Sequence, residues 1–356
     1  MRAETEQCLQ LTNADRSVAA AARPRSIGAF ATEAGRLAVI DLVSTQAITM
    51  HIDALSPNRS TAASVLLGAL ILVAGCAPER QSELAAAADR QADLVERHLL
   101  PAVRVAGRQY APATIAERLR EYRVPAVSVA VIDSGRVVWA RAYGTADVAS
   151  GRPLTSATLF QAASMSKAVA GTAALLMVQD GILALDAPVN ETLRSWQIPE
   201  NSFTAGHPVT LRQLLTHTAG LTVSGFPGYV VGAPIPTVLQ VLEGAPPANT
   251  PPVLVDTAPG SRFRYSGGGI TVLQLLLTDV TGEDFPSLMR ERVLDPVGMR
   301  SSTFEQPLSE RRARDAATGH QTTRAPVEGK YHLYPETAAA GLWTTPTDLA
   351  RWILAI

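Results

Sequence analysis

The sequence predicts an α+β fold, an antiparallel sheet flanked by helices with a helical region inserted. Three observations predict it. One short helical pattern comes first, a two-strand hairpin follows, and a long run of helical patterns broken by Pro/Gly-rich loops completes the chain. Strands and helices that are segregated along the chain point to α+β rather than to an alternating α/β layout.

Residues 113–122 (ATIAERLREY) place Ile115, Leu119 and Tyr122 on one helical face. VPAVSVAVID (124–133) is rich in β-branched residues and reads as a strand. Asp133-Ser134-Gly135 is turn chemistry, and RVVWARAYG (136–144) reads as the returning strand. From Ser164 to about Gln179 runs an apolar helical segment that ends at Gly181. GAPPANTPPV (244–253) is a loop, and residues 272–299 read as two helices joined at Thr281-Gly282. No internal repeat is visible. These elements define a domain over 113–356.

The residues before it carry different signals. Residues 61–76 (TAASVLLGALILVAGC) form an apolar run of signal-peptide length, short for a membrane span of ~20 residues. The run ends in Val73-Ala74-Gly75-Cys76, which resembles a bacterial lipobox, where the cysteine thiol receives the lipid. The expected organisation is an upstream extension that is not native (1–49), a lipoprotein signal peptide (50–76) and a tether or leading helix (77–112). An uncleaved membrane anchor or a buried helix is the alternative for the apolar run. The lipobox places the domain at the bacterial cell envelope, lipid-anchored and facing the periplasm or exterior.

Charge and cysteine content exclude several classes. A formal net charge of −1 argues against a nucleic-acid binder, which carries a basic excess. Cys8 and Cys76 are the only cysteines, so no disulfide framework is implied. The six histidines are scattered, and no His-Glu-x-x-His run occurs. No metal and no cofactor are expected.

The chain carries 31 Lys and Arg residues, of which only Lys167 and Lys330 are lysines. Lys167 sits in Ser164-Met165-Ser166-Lys167, a Ser-x-x-Lys pattern inside an apolar stretch. Residues three apart share a helical face. A serine hydroxyl needs a base before it becomes a good nucleophile. A lysine amine serves when burial or a neighbouring cation favours its neutral form, whereas an arginine cannot lose its proton. A helix-capping serine followed by a surface lysine is the alternative that the spacing leaves open. Tyr265, in PGSRFRYSGGG (259–269), has a hydroxyl that can relay a proton between lysine, serine and leaving group. Its alternative is a loop tyrosine packed on the core.

Taken together, these motifs make the chain resemble the serine β-lactamase and penicillin-binding-protein superfamily, in the branch of class C β-lactamase-related esterases and D-peptidases. TLFQAASMSKAVAGTAALLMVQDG, LDAPVNETL, VTLRQLLTHTAGL, PGSRFRYSGGG, VLDPVGM and AAGLWTTPTDLARW resemble that family's blocks in the family's order. The resemblance implies a β-lactamase/transpeptidase-like sheet. It implies Ser164 as the acylated nucleophile, Lys167 as its partner and Tyr265 as the tyrosine of a Tyr-x-Asn motif. The Ser164 N–H would supply half of an oxyanion hole. His217, in LLTHTAGL, falls in a block the family uses structurally.

Two departures qualify the expectation. Gly267 replaces the asparagine of Tyr-x-Asn, which favours an ester or D-amino-acid peptide over efficient β-lactam hydrolysis. After Tyr265 no Lys-Thr-Gly or His-x-Gly motif follows before DLARWILAI. The reading is therefore a domain incomplete at its C-terminus, lacking later strands. The expected partners are a small-molecule or peptide substrate and a membrane held through lipid on Cys76. The other reading is an inactive envelope lipoprotein that binds peptidoglycan or a partner.

Overall fold

The computed structural model describes residues 82, 83 and 85–356. Segments 1–49 and 50–76, with Cys76, lie outside the described residues.

Residues 85–97 form helix α1. Asp89, Asp93 and Glu96 recur at helical spacing and meet one guanidinium, that of Arg141, at 2.7, 3.2 and 2.5 Å. Tyr143 Oη donates to Glu96 at 2.7 Å. Helix α2 (Ile115–Glu121) starts at a capping box, with Thr114 and Glu117 satisfying each other's main-chain N–H.

Strand β1 (Ala126–Asp133) pairs antiparallel with β2 (Arg136–Asp147), and Asp133 faces Arg136. That register leaves a two-residue turn, Ser134-Gly135, with φ of 50° and 74°. Two successive positive φ values make the tight turn whose twist matches the flanking strands. β3 (Arg152–Pro153) adds to the other side of β2. Four two-residue strands follow: β4 (Phe160–Gln161), β5 (Tyr229–Val230), β6 (His332–Leu333) and β7 (Trp343–Thr344). β4 pairs with β7, and β5 with β6, both antiparallel. Among the described residues these are three separate antiparallel sheets, β1–β2–β3 before the helical region and β4–β7 and β5–β6 joining segments across it, which together with the helices make the expected α+β class.

The helical region comprises α3 (Ser166–Gln179), α4 (Leu211–Leu215), α5 (Val238–Glu243), α6 (Gly267–Thr281) and α7 (Phe285–Met289). After it come α8 (Glu310–Asp315), α9 (Thr337–Ala340) and α10 (Pro346–Ala355). α3 and α6 form the centre. Every residue from Gly267 to Leu277 is buried, and the two polar side chains among them, Thr271 and Gln274, are hydrogen-bonded to main-chain groups. Val169, Ala170, Ala173, Ala174 and Met177 of α3 pack into the same core. α10 lies against β1 and β2. Among the described residues, no helix is long and apolar enough to cross a membrane.

The structure corrects one boundary. α6 begins at Gly267, five residues before the apolar pattern at 272 suggested. Three successive glycines are poor helix formers. Tertiary contacts override that preference. Ser266 Oγ caps the helix by accepting from Gly269 N at 2.8 Å. A Cβ at residue 268 would meet Thr222 O at 2.8 Å and Val253 at 2.9 Å, so the glycine permits this approach.

One buried charge stands out. Glu336 is fully buried, and its carbonyl accepts from Ala339 N and Ala340 N at 2.9 Å to start α9. Neither carboxyl oxygen has a protein partner among the described residues. Burial pushes this carboxyl from the ordinary 4.5 up to about 7. The folded state therefore binds the Glu336 proton more tightly than the unfolded state. This contribution to stability is fully present below the unfolded value and is lost as pH rises through the folded one. Denaturant unfolding followed between pH 4.5 and 7 should show stability falling with pH, and Glu336→Gln should remove most of that slope. An unchanged slope in the variant would place the titration elsewhere.

Candidate active site

Ser164 lies in a short 3₁₀ turn, Ala163–Met165, that runs straight into α3. The turn is entered through Ala163 at φ 46°, a left-handed conformation unusual for alanine. Ser166, fully buried, ties the turn down. Its Oγ donates to Ala163 O at 2.5 Å and accepts from Leu342 N at 3.0 Å. Ala162 N donates to Leu342 O at 2.8 Å, in continuation of the β4–β7 pair. Ser164 itself stays exposed.

One turn further on, Lys167 is buried. Its Nζ donates to Ser164 Oγ at 3.1 Å and to Ala339 O at 2.7 Å. The same nitrogen lies 5.1 Å from the centre of the Tyr265 ring. Tyr265 stands just before α6, whose first amides donate to Ser224 O at 3.2 Å (Gly267) and Val223 O at 2.9 Å (Gly268). The structure thus gathers Ser164, Lys167 and Tyr265 from segments a hundred residues apart in sequence.

It also brings in a residue that the motifs left in a structural block. The His217 ring lies 4.5 Å from the Tyr265 ring at 40°. Burial first, and the positive charge of Lys167 second, hold its imidazole below the ordinary histidine value. The sequence signal for it was its place in the LLTHTAGL block, three residues before Gly220. All four side chains line one cavity of about 860 Å³, with Leu175, Leu215 and Trp352 on the apolar side. Among the described residues, no group of three or more His, Cys, Asp or Glu side chains is placed to hold a metal ion.

Gly267 has a structural reason. A Cβ there would lie 2.9 Å from Phe226 Cε2 and 3.2 Å from Ser224 O. Phe226 occupies the space into which an asparagine at this position would project.

A profile of the family described as Beta-lactamase matches residues 111–356. The chain belongs to the Beta-lactamase family. Esterase EstB of Burkholderia gladioli is 32% identical over 213 residues, covering 56% of this chain and 52% of that protein. The Beta-lactamase of Escherichia coli K12 is 27% identical over 243 residues, covering 67% of this chain and 58% of that protein. Unguisins hydrolase ungD of Aspergillus violaceofuscus is 28% identical over 264 residues, covering 68% and 44%. The chain spans about half the length of the curated relatives it matches.

Solved structures agree on the fold. The octameric penicillin-binding protein homologue from Pyrococcus abyssi superposes with a TM-score of 0.55 at 27% identity, over 67% of this chain and 54% of that one. D-alanine carboxypeptidase AmpC from Burkholderia cenocepacia gives 0.52 at 27% identity, over 68% and 61%. This Beta-lactamase-family member therefore has the fold that its motifs implied.

The contact at Gly267 makes a prediction. Gly267→Asn forces a side chain against Phe226 and should destabilise the fold by about 1–3 kcal/mol. Combining it with Phe226→Ala should cost less than the sum of the two single changes, because the aromatic ring is the obstruction. Urea unfolding of the four proteins measures this. Strict additivity would mean that Phe226 is not what the asparagine meets.

Proposed function

We propose that this chain is a serine hydrolase that works through an acyl-enzyme on Ser164. The observation that carries the reading is the Lys167 amine, 3.1 Å from Ser164 Oγ and buried beneath an exposed hydroxyl. In the reaction, Ser164 Oγ attacks the substrate carbonyl and its proton passes to the lone pair of Nζ. The carbonyl oxygen takes the developing charge beside the N-terminus of α3, where main-chain N–H groups favour an anion. Tyr265 relays a proton toward the leaving group, which departs as alcohol or amine. Water then attacks the acyl carbon, and Ser164 regains its proton as the acid is released.

The substrate class we assign is an ester or a D-amino-acid peptide. Phe226 fills the place of an amide-binding side chain at residue 267, which weighs against a β-lactam. The relatives' names span esterase, beta-lactamase and D-alanine carboxypeptidase, which supports a shared acyl-transfer chemistry with varied substrates.

Two expected outcomes follow. Ser164→Ala should abolish covalent labelling by a fluorophosphonate probe. Lys167→Arg, which keeps a long basic side chain but cannot release its proton, should slow labelling by roughly 10²-fold or more. Labelling of Ser164→Ala at the rate of the parent would remove the reading.

We further propose that the protein is held at the cell envelope by lipid on Cys76. Cys76→Ser should lose a diacylglyceryl-sized mass and leave the membrane fraction. Unchanged mass and fractionation would reject the anchor.

A further inference from the structure

We propose that His217 is the positioning residue for Tyr265, holding the tyrosine in register by hydrogen bonds to both of its chain neighbours. The inference rests on the reading of Tyr265 as the proton relay. On one side, Arg264 N donates to the His217 main-chain carbonyl at 2.7 Å. On the other, Ser266 N donates to His217 Nδ1 at 3.2 Å. The three-residue segment Arg264-Tyr265-Ser266 is therefore gripped at both ends by one residue, 48 positions earlier than Tyr265. The ring between the two grips lies against the tyrosine at 4.5 Å.

The tautomer follows from the donor. A main-chain N–H can only donate, so Nδ1 presents its lone pair and the ring proton sits on Nε2. A doubly protonated ring would turn Nδ1 into a second donor and break the Ser266 contact. Burial and the Lys167 charge both oppose that protonation. The charged and titratable groups around His217 are Lys167 from α3, Tyr265 itself, and Arg212 from α4 on the same cavity wall. Arg212 is paired with Asp186 at 2.7 Å. Arg264, whose main chain is gripped, turns its guanidinium to Asp256.

The backbone supports the same role. His217 has φ 55°, in the left-handed region, which a residue with a Cβ adopts only at a steric cost. Strain of this kind persists only where surrounding contacts over-determine it, and it clusters at functional sites. The left-handed turn aims both the carbonyl and the ring toward the 264–266 segment. Lys167 then meets the Tyr265 ring at 5.1 Å with no direct hydrogen bond needed to orient the tyrosine.

Asparagine supplies the test. Its Oδ1 sits at the same bond count from Cα as histidine Nδ1, it is an acceptor, and asparagine tolerates positive φ. Acylation of Ser164 by p-nitrophenyl acetate would be followed for the parent protein, His217→Ala and His217→Asn. A relay displaced by about 1 Å loses roughly 10²-fold in rate. His217→Ala should lose on that order in kcat with little change in KM, and His217→Asn should recover most of it. In parallel, ¹⁵N spectra of the parent should show a bare Nδ1 and a protonated Nε2 at neutral pH. The Ser266 amide signal should shift as His217 protonates, with a midpoint below the ordinary histidine value.

A parent-like kcat in a folded His217→Ala, or a His217→Asn no better than it, overturns the proposal. So does a proton on Nδ1 at neutral pH. If His217→Ala does not fold, the asparagine variant and the ¹⁵N spectra decide. If the parent is not acylated on Ser164, the hydrolase reading fails, and the tautomer and the Ser266 signal still decide whether His217 grips the segment.

Discussion

The Lys167 Nζ, held between Ser164 Oγ at 3.1 Å and Ala339 O at 2.7 Å, is the contact on which the arrangement turns. A charge or amine buried in an apolar core costs several kcal/mol unless polar partners replace water. Ala339 supplies that partner from 172 residues away. The core must therefore bring α9 beside the start of α3, or the lysine has nowhere to go. The β4–β7 pair and the Ser166 bridge to Leu342 do this in the adjoining segment. One strap thus presents the serine, buries the lysine and delivers the carbonyl.

The polar groups nearby divide into those the fold satisfies and those it leaves bare. Ser166, Ser266 and Gln274 each satisfy main-chain groups at helix starts or in neighbouring segments. Glu336 lacks such partners at its carboxyl, and burial accordingly favours its neutral form. His217 falls between these cases. Its Nδ1 is spent on Ser266, which leaves a neutral ring beside the lysine. Arg212, on the same cavity wall, is drawn away by its pair with Asp186.

Much of this was legible in advance, for identifiable reasons. The hairpin turn followed from Ser134-Gly135, because a two-residue turn needs positive φ and a glycine allows it cheaply. The α3 helix followed from its apolar run, and the Ser164–Lys167 pairing from one helical turn of spacing. Each is a local rule. The start of α6 was not legible, because its first glycines are held by main-chain bonds from Gly267 to Ser224 and from Gly268 to Val223, in a distant segment. The lipobox signal at Cys76 lies outside the described residues.

By itself the sequence determined the fold class, the hairpin and the presence of one lysine a helical turn after a serine. These depend on chain periodicity and turn chemistry, which act over a few residues. Only the tertiary structure decided that Tyr265 and His217 join them, that Phe226 fills the space beside Gly267, and that Ala339 receives the lysine. Those contacts join residues tens to hundreds of positions apart. No local pattern encodes such pairings, because close packing of the whole core selects them.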